Sequence, residues 1–202
     1  MSKHPLIVFE GIEGTGKSTQ IKNVCNFLKN KKIKFLKIRE PGGTKNSEKI
    51  RRLLLSNKSK FNKITDLFLI MASRSENMDV IKKNYKKKII LVDRFIYSTI
   101  AYQSVGMGIN TEIINKLNNF LLGNVKPNFI FLHTTNMKNL KKRLFNRKNK
   151  NRYDKFNHNF YKKTQDGFIK LLKKKKNVMI VDTSKSLISN KVQILNKVNK
   201  LI

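Results

Sequence analysis

Short apolar runs bounded by turn signals recur along the chain, with helical spacing between them. Five of these runs, LIVF (6–9), KFLKI (34–38), IILV (89–92), FIFL (129–132) and VMIV (178–181), are nearly continuous in apolar character rather than alternating. Parallel strands buried on both faces read this way. After the first run, Ile21, Val24, Cys25 and Leu28 fall at i, i+3, i+4 and i+7, the single apolar stripe of a surface helix. Further helical patterns cover 65–84, 111–122, 138–145, 160–172 and 187–198. Alternating strands and helices predict an α/β fold of three layers, a five-stranded parallel sheet flanked by helices. There is no repeat or linker, so residues 1–202 are expected to form one domain. The stretch NRKNKNRYDKFN (146–157) is nearly devoid of apolar residues and is expected to be a mobile loop.

Composition narrows the classes. A chain of 202 residues that is 39% apolar can bury one ordinary core. No apolar run approaches a membrane span, and the start MSKHPLIVFEG lacks the layout of a signal peptide, so a cytoplasmic protein without a membrane partner is expected. The lone Cys25 forms no internal disulfide, and three His do not suggest a histidine-rich metal site. The net charge of +33 would ordinarily suggest a polyanionic partner. The lysines, however, are spread over 29–32, 82–88 and 173–176 and alternate with asparagine rather than with aromatic stacking residues. They read as a solvated face, with no specific nucleic acid implied. Against this lysine background only eight of the 45 basic residues are arginine: Arg39, Arg51, Arg52, Arg74, Arg94, Arg143, Arg147 and Arg152. The planar fork of arginine suits bidentate phosphate contacts, which singles these positions out.

The first apolar run is followed by FEGIEGTGKSTQ. Gly11-x-x-x-x-Gly16-Lys17-Ser18 is the phosphate-loop pattern, placed after a strand and at the opening of a helix as it must be. Gly11, Gly14 and Gly16 let backbone N–H groups turn towards phosphate, with Ile12, Glu13 and Thr15 completing the loop and Thr19 following it. Lys17 is expected to reach the β and γ phosphates of ATP, and the Ser18 hydroxyl to ligate Mg²⁺. The third apolar run ends in Asp93-Arg94. The acid there belongs near the magnesium, while an ATPase would more usually follow it with a glutamate that activates water. An arginine at that strand end suits a second phosphate instead.

Taken together, FEGIEGTGKST, REPGGT (39–44), DRFIYSTIAYQ (93–103) and RKNKNRYD (147–154), in this order and separation, resemble the thymidylate kinase family over nearly the whole chain. The resemblance implies a P-loop kinase fold with a mobile lid at 146–157, a homodimer, and transfer of the γ-phosphate of ATP to dTMP, giving dTDP for dTTP synthesis. Glu13 would then meet the acceptor's 3′-hydroxyl, and Arg74 its phosphate or base. Arg51 and Arg94 would hold the acceptor phosphate, and Gln103 with Ser98 and Thr99 the base and nearby groups. Lys17, Arg94 and the lid arginines Arg147 and Arg152 would be catalytic. Glu10 is expected to have a structural hydrogen-bonding role.

The chain departs from the family at several points. Ile70 stands where a phenylalanine usually stacks on thymine, which implies either a weaker grip on the base or a repacking of Phe68 there. Thr134 lies near a usual acid, and SVGMG follows AYQ in place of a glycine-and-arginine run. Three other readings remain: a nucleic-acid-stimulated ATPase, motivated by the charge; a nucleotide-binding module without activity, motivated by Ile70 and Thr134; and a deoxynucleoside kinase. Arg94 and REPGGT oppose the first, and the intact Lys17, Ser18 and Asp93 the second. The phosphate-suited arginines oppose the third.

Overall fold

The computed structural model describes residues 4–202. Strands β1 (Leu6–Glu10), β2 (Phe35–Arg39), β3 (Ile89–Asp93), β4 (Phe129–Thr134) and β5 (Val178–Asp182) form one sheet in the order β2-β3-β1-β4-β5. Every pairing is parallel. The helices are α1 (Lys17–Asn30), α2 (Lys45–Leu55), α3 (Lys63–Asn84), α4 (Ile96–Thr99), α5 (Thr111–Leu122), α6 (Met137–Phe145), α7 (His158–Leu172) and α8 (Leu187–Asn199). A π-helical run, Ile100–Gly106, continues α4, and a 3₁₀ turn, Arg152–Lys155, precedes α7.

Successive strand residues point to opposite faces, and both faces of β1 are buried. Ile7 and Phe9 pack with Val24 and Leu28 of α1 and with Ile194 and Val198 of α8. Leu6 and Val8 belong to the other layer, with Met78 and Ile81 of α3 and Phe168 and Leu172 of α7. The chain therefore has the three layers expected, and the continuous apolar runs are the strands covered on both sides. Because β1 sits between β3 and β4, the connections leave it in opposite directions. The crevice this opens at the carboxyl edge of the sheet is where ligands bind in such folds. Among the described residues, no helix is long and apolar enough to cross a membrane.

Two regions differ from the sequence expectation. Helix α2 was not foreseen: it is short and rich in basic residues, its apolar stripe is confined to Ile50 and 53–55, and Ser47 and Leu54 are its only buried residues. It forms on a local signal, the Thr44 side chain accepting from Ser47 N at 3.3 Å. The segment 146–157 is not uniformly solvated: Asn151 and Asp154 make a capping box for the 3₁₀ turn, and Tyr153 is buried.

Candidate active site

The phosphate loop joins β1 to α1. At Gly11, φ is +134°, and a Cβ there would run into the His133 carbonyl at the end of β4, so the loop can approach β4 only with glycine. Thr15 Oγ1 donates to the Ile12 carbonyl at 2.8 Å and ties the loop to itself. Lys17 Nζ donates to the Gly11 and Ile12 carbonyls at 2.8 and 2.7 Å. Burial, followed by the charge of Arg94, brings its ammonium down to a pKa of about 7. The Ile12 side chain lies in the core and only its backbone serves the loop. Gly14, Gly16, Ser18 and Thr19 face a cleft of about 570 Å³.

Beside the loop stands the end of β3, the strand next to β1. Arg94 has φ +67°, a left-handed conformation costly for a residue with a Cβ. That turn aims its guanidinium back at the loop: Nη1 donates to the Gly11 carbonyl at 2.7 Å and Nη2 to Glu13 Oε1 at 3.0 Å. Glu13 also accepts from the Tyr102 hydroxyl, whose ring lies 5.2 Å under the Arg94 guanidinium. Burial raises the Glu13 carboxyl, but Arg94, Lys17 and the Tyr102 hydroxyl more than offset it, and the group stays below the usual carboxylate range. Glu10, by contrast, faces inward. Its Oε1 accepts from Phe95 N and Ser98 N at 3.0 and 3.2 Å, and its Oε2 from Ser98 Oγ at 2.5 Å. It anchors the start of α4, and burial raises its pKa despite these bonds. Ser98 is thus committed to Glu10 as well as lining the cleft.

The far end of the cleft is built by the Arg39–Thr44 loop, α3 and the π-helical run. Arg74 is 1% exposed. Its Nε donates to Glu40 Oε2 at 2.7 Å, Nη1 to Asn118 Oδ1 at 2.5 Å and Nη2 to Thr99 Oγ1 at 3.0 Å. Arg51 donates to the Pro41 carbonyl at 2.7 Å, and burial then the Arg39 charge lower its pKa. Gln103 and Glu40 both line this end, and Gln103 Nε2 and Glu40 Oε1 are buried with no hydrogen-bond partner. Such atoms are costly unless something polar meets them. A π-helical run is frequent at functional sites, and here it brings Tyr102 and Gln103 to the cleft in succession. Ile70 lines the cleft, while Phe68 is 58% exposed and does not, so the exchange of one for the other does not occur.

The lid arginines separate. Arg147 lines the cleft beside Asn151 and Tyr153, and its Nη1 donates to Asp154 Oδ1 at 2.5 Å. Arg152 does not line it, and bonds instead to Asp66 of α3 and the Leu54 carbonyl. Tyr102, Glu40 and Tyr153 are site residues the sequence reading did not single out, and Arg143 was singled out only as one of eight arginines, with no role given to it; all four line the cleft. The first three stand inside quoted motifs, but their partners are distant in sequence. Arg143 sits on α6 and donates to the Gly14 carbonyl at 3.0 Å.

The thymidylate kinase family model matches residues 9–194. The chain belongs to the thymidylate kinase family. It is 40% identical to a thymidylate kinase of Thermosipho africanus over 183 residues, covering 90% of each chain. It is 33% identical to that of Finegoldia magna over 201 residues, 96% of this chain and 99% of the other. The crystal structure of thymidylate kinase from Ehrlichia chaffeensis superposes with a TM-score of 0.77 at 28% identity, covering 97% and 98% of the two chains.

As in any thymidylate kinase, the nucleotide phosphates would carry a large charge into this cleft, and Ser18 and Asp93 fit a magnesium ion accompanying them. Both line the cleft, and the Asp93 carboxylate accepts no hydrogen bond from any described residue, which leaves it available. One carboxylate and one hydroxyl suit Mg²⁺, which keeps several waters and binds phosphate oxygens.

Proposed function

We propose that the protein transfers the γ-phosphate of ATP to dTMP, giving dTDP and ADP. The observation that carries this reading is the presence, in one cleft, of a phosphate loop together with Arg51 and Arg94, two arginines suited to a second phosphate. One polyphosphate and one monophosphate can then face each other. A hydrolase would need a water-activating acid after Asp93, and the chain has Arg94.

In this reading Lys17 leaves the loop carbonyls for the β and γ phosphates of ATP, over the backbone of Gly11 to Thr19. Arg51 and Arg94 hold the phosphate of dTMP in line with it. Phosphoryl transfer asks little covalent chemistry of a protein, so positioning and charge carry the catalysis. The ionised Glu13, held by Arg94 and Tyr102, accepts the 3′-hydroxyl of the deoxyribose. Gln103 Nε2 and Glu40 Oε1 offer a donor and an acceptor to the polar edge of the thymine. Arg74 and Thr99 hold Glu40 and the pocket wall, Ser98 lies beside them, and Ile70 gives the base apolar cover. Ser18 and Asp93 would hold Mg²⁺, which when bound would neutralise phosphate charge. Arg147 extends that neutralisation from the lid and, with Asn151 and Tyr153, excludes water.

The homodimer implied by the family would bury exposed apolar side chains such as Ile64 and Phe68 on α3, and the cytoplasm would supply both nucleotides. The test is ADP release measured across the nucleoside monophosphates, with thymidine as control. dTMP is expected to be the best acceptor and thymidine to be inert. Release of ADP with thymidine but not with dTMP would overturn the reading.

A further inference from the structure

Asp66, in the first turn of α3, is 3% exposed and bonded to the lid. Its Oδ1 accepts from Arg152 Nη2 and its Oδ2 from the Tyr153 hydroxyl, the latter at 3.0 Å. Arg152 is held further by Nε to the Leu54 carbonyl and by the Phe61 ring, whose centroid lies 5.5 Å from the guanidinium carbon. Asn57 Nδ2 donates to the Lys150 carbonyl at 3.0 Å, and from the other side Tyr161 Oη donates to the Tyr153 carbonyl at 2.6 Å. The 3₁₀ turn is therefore fastened between α3 and α7 at its first two residues.

The same turn carries the lid's contribution to the cleft. Asp154, the third residue of the turn, accepts from Arg147 Nη1 at 2.5 Å and from Asn151 N at 2.8 Å, and both Arg147 and Asn151 line the cleft. On its other flank Tyr153 stands 6.3 Å from the Tyr102 ring, and the Tyr102 hydroxyl is bonded to Glu13. Nothing else of α3's first turn connects to the lid so closely, and a buried carboxylate with both oxygens occupied by lid donors is a specific fastening. Replacing it by asparagine would remove the charge and set an amide NH2 against one of the two lid donors, Arg152 or the Tyr153 hydroxyl.

We infer that Asp66 is a positioning residue for phosphoryl transfer: through Arg152 and Tyr153 it fixes the lid on the acceptor-side helix, so that Arg147 is presented to the reacting phosphates. The two lid arginines then have different work. Arg147 is the catalytic one, and Arg152 acts through it. The inference rests on the kinase reading above, because Arg147 has a task only where a phosphoryl group is transferred.

The test compares Asp66→Asn, Asp66→Glu, Tyr153→Phe and Arg152→Ala in the full-length protein. Asp66→Asn is expected to lower kcat by roughly 10²-fold, the scale of a small misplacement of a catalytic group, with KM for dTMP and ATP changed less than about threefold. Asp66→Glu should recover part of the loss, and Tyr153→Phe, which removes one hydroxyl, should show a smaller loss of the same kind. The double variant Asp66→Asn with Arg152→Ala should be no slower than the worse single one, because both break the same fastening. Trypsin cleavage at Lys148 and Lys150, followed with ATP alone, should accelerate about tenfold in Asp66→Asn, the order of change expected when a local opening becomes easier. This last measurement needs no turnover with dTMP. If the wild-type protein failed to phosphorylate dTMP, the kinase reading would fall while cleavage still tested the fastening. Wild-type kcat in Asp66→Asn, fully additive losses in the double variant, or a fall in thermal stability with unchanged turnover per folded molecule would each overturn the inference.

Discussion

Lys17 shows how a motif residue acquires its chemistry from its surroundings. The pattern around it is legible in the sequence, but its depressed pKa is not, because the burial and the Arg94 charge that cause it come from the folded cleft. With a pKa of about 7, Lys17 is largely neutral at pH 8, and polyphosphate beside it would restore the charge. ATP binding at pH 8 is therefore expected to take up close to one proton, and binding at pH 6, where Lys17 is already charged, almost none. Titration calorimetry in buffers of different ionisation enthalpy measures this, and equal uptake at both pH values would contradict it. His133 makes the complementary case. Both of its ring nitrogens are buried without a hydrogen-bond partner, and burial, then the Lys17 charge, lowers its pKa from 6.5 to about 3. Between those values the unfolded chain binds a proton that the folded chain refuses, so the folded state loses stability as pH falls through that window. His133→Phe should remove up to about 1.4 kcal/mol of that loss per pH unit. Denaturant titrations of both proteins at pH 7 and pH 4.5 check this; parallel slopes against pH would refute it. Tyr102 and Glu40 stood in plain view within their motifs, yet their roles depend on Glu13 and Arg74, which only folding brings to them.

The strands were readable as short continuous apolar runs, α5 to α8 by an apolar stripe, and α3 by its length. The strands and α3, α5, α6, α7 and α8 lie within two residues of their expected bounds. Several asparagines of the polar, lysine-rich surface cap helices: Asn62, Asn110, Asn136 and Asn157 each accept from a backbone N–H of the first turn. What escaped, besides the short α2, was an element defined by tertiary contacts. The π-helical run has no 3.6-residue signature, and it is held by α7, against which it packs through small residues. A Cβ on Gly106 would come within 2.7 Å of the Phe160 ring, which also stacks on Phe156 behind the lid. Gly106→Ala should therefore push α7 off the run, costing about 1–3 kcal/mol of stability, the usual scale of overpacking. Since Gln103 and Tyr102 ride on the same run, dTMP affinity should fall with it. Thermal unfolding and dTMP binding report the two effects, and Phe160→Leu in the same chain should recover part of both. Loss of stability with no change in dTMP affinity would show that the run does not shape the acceptor pocket.

At the scale of the whole molecule, a charge of +33 surrounds a cleft that receives anions. It need not mark a nucleic-acid surface, since a basic field also speeds the arrival of ATP and dTMP and is weakened by salt. The lid, α3 and the phosphate loop meet over one cleft, which Arg94, just after β3, and Arg51 of α2 also line. The decisive experiment is rapid quench with ATP labelled in the γ-phosphate, in the presence of dTMP and, separately, of DNA. Label is expected in dTDP, one for each ADP formed, with DNA neither accepting label nor stimulating ADP release. Label accumulating as inorganic phosphate, faster with DNA and indifferent to dTMP, would contradict the phosphotransfer reading.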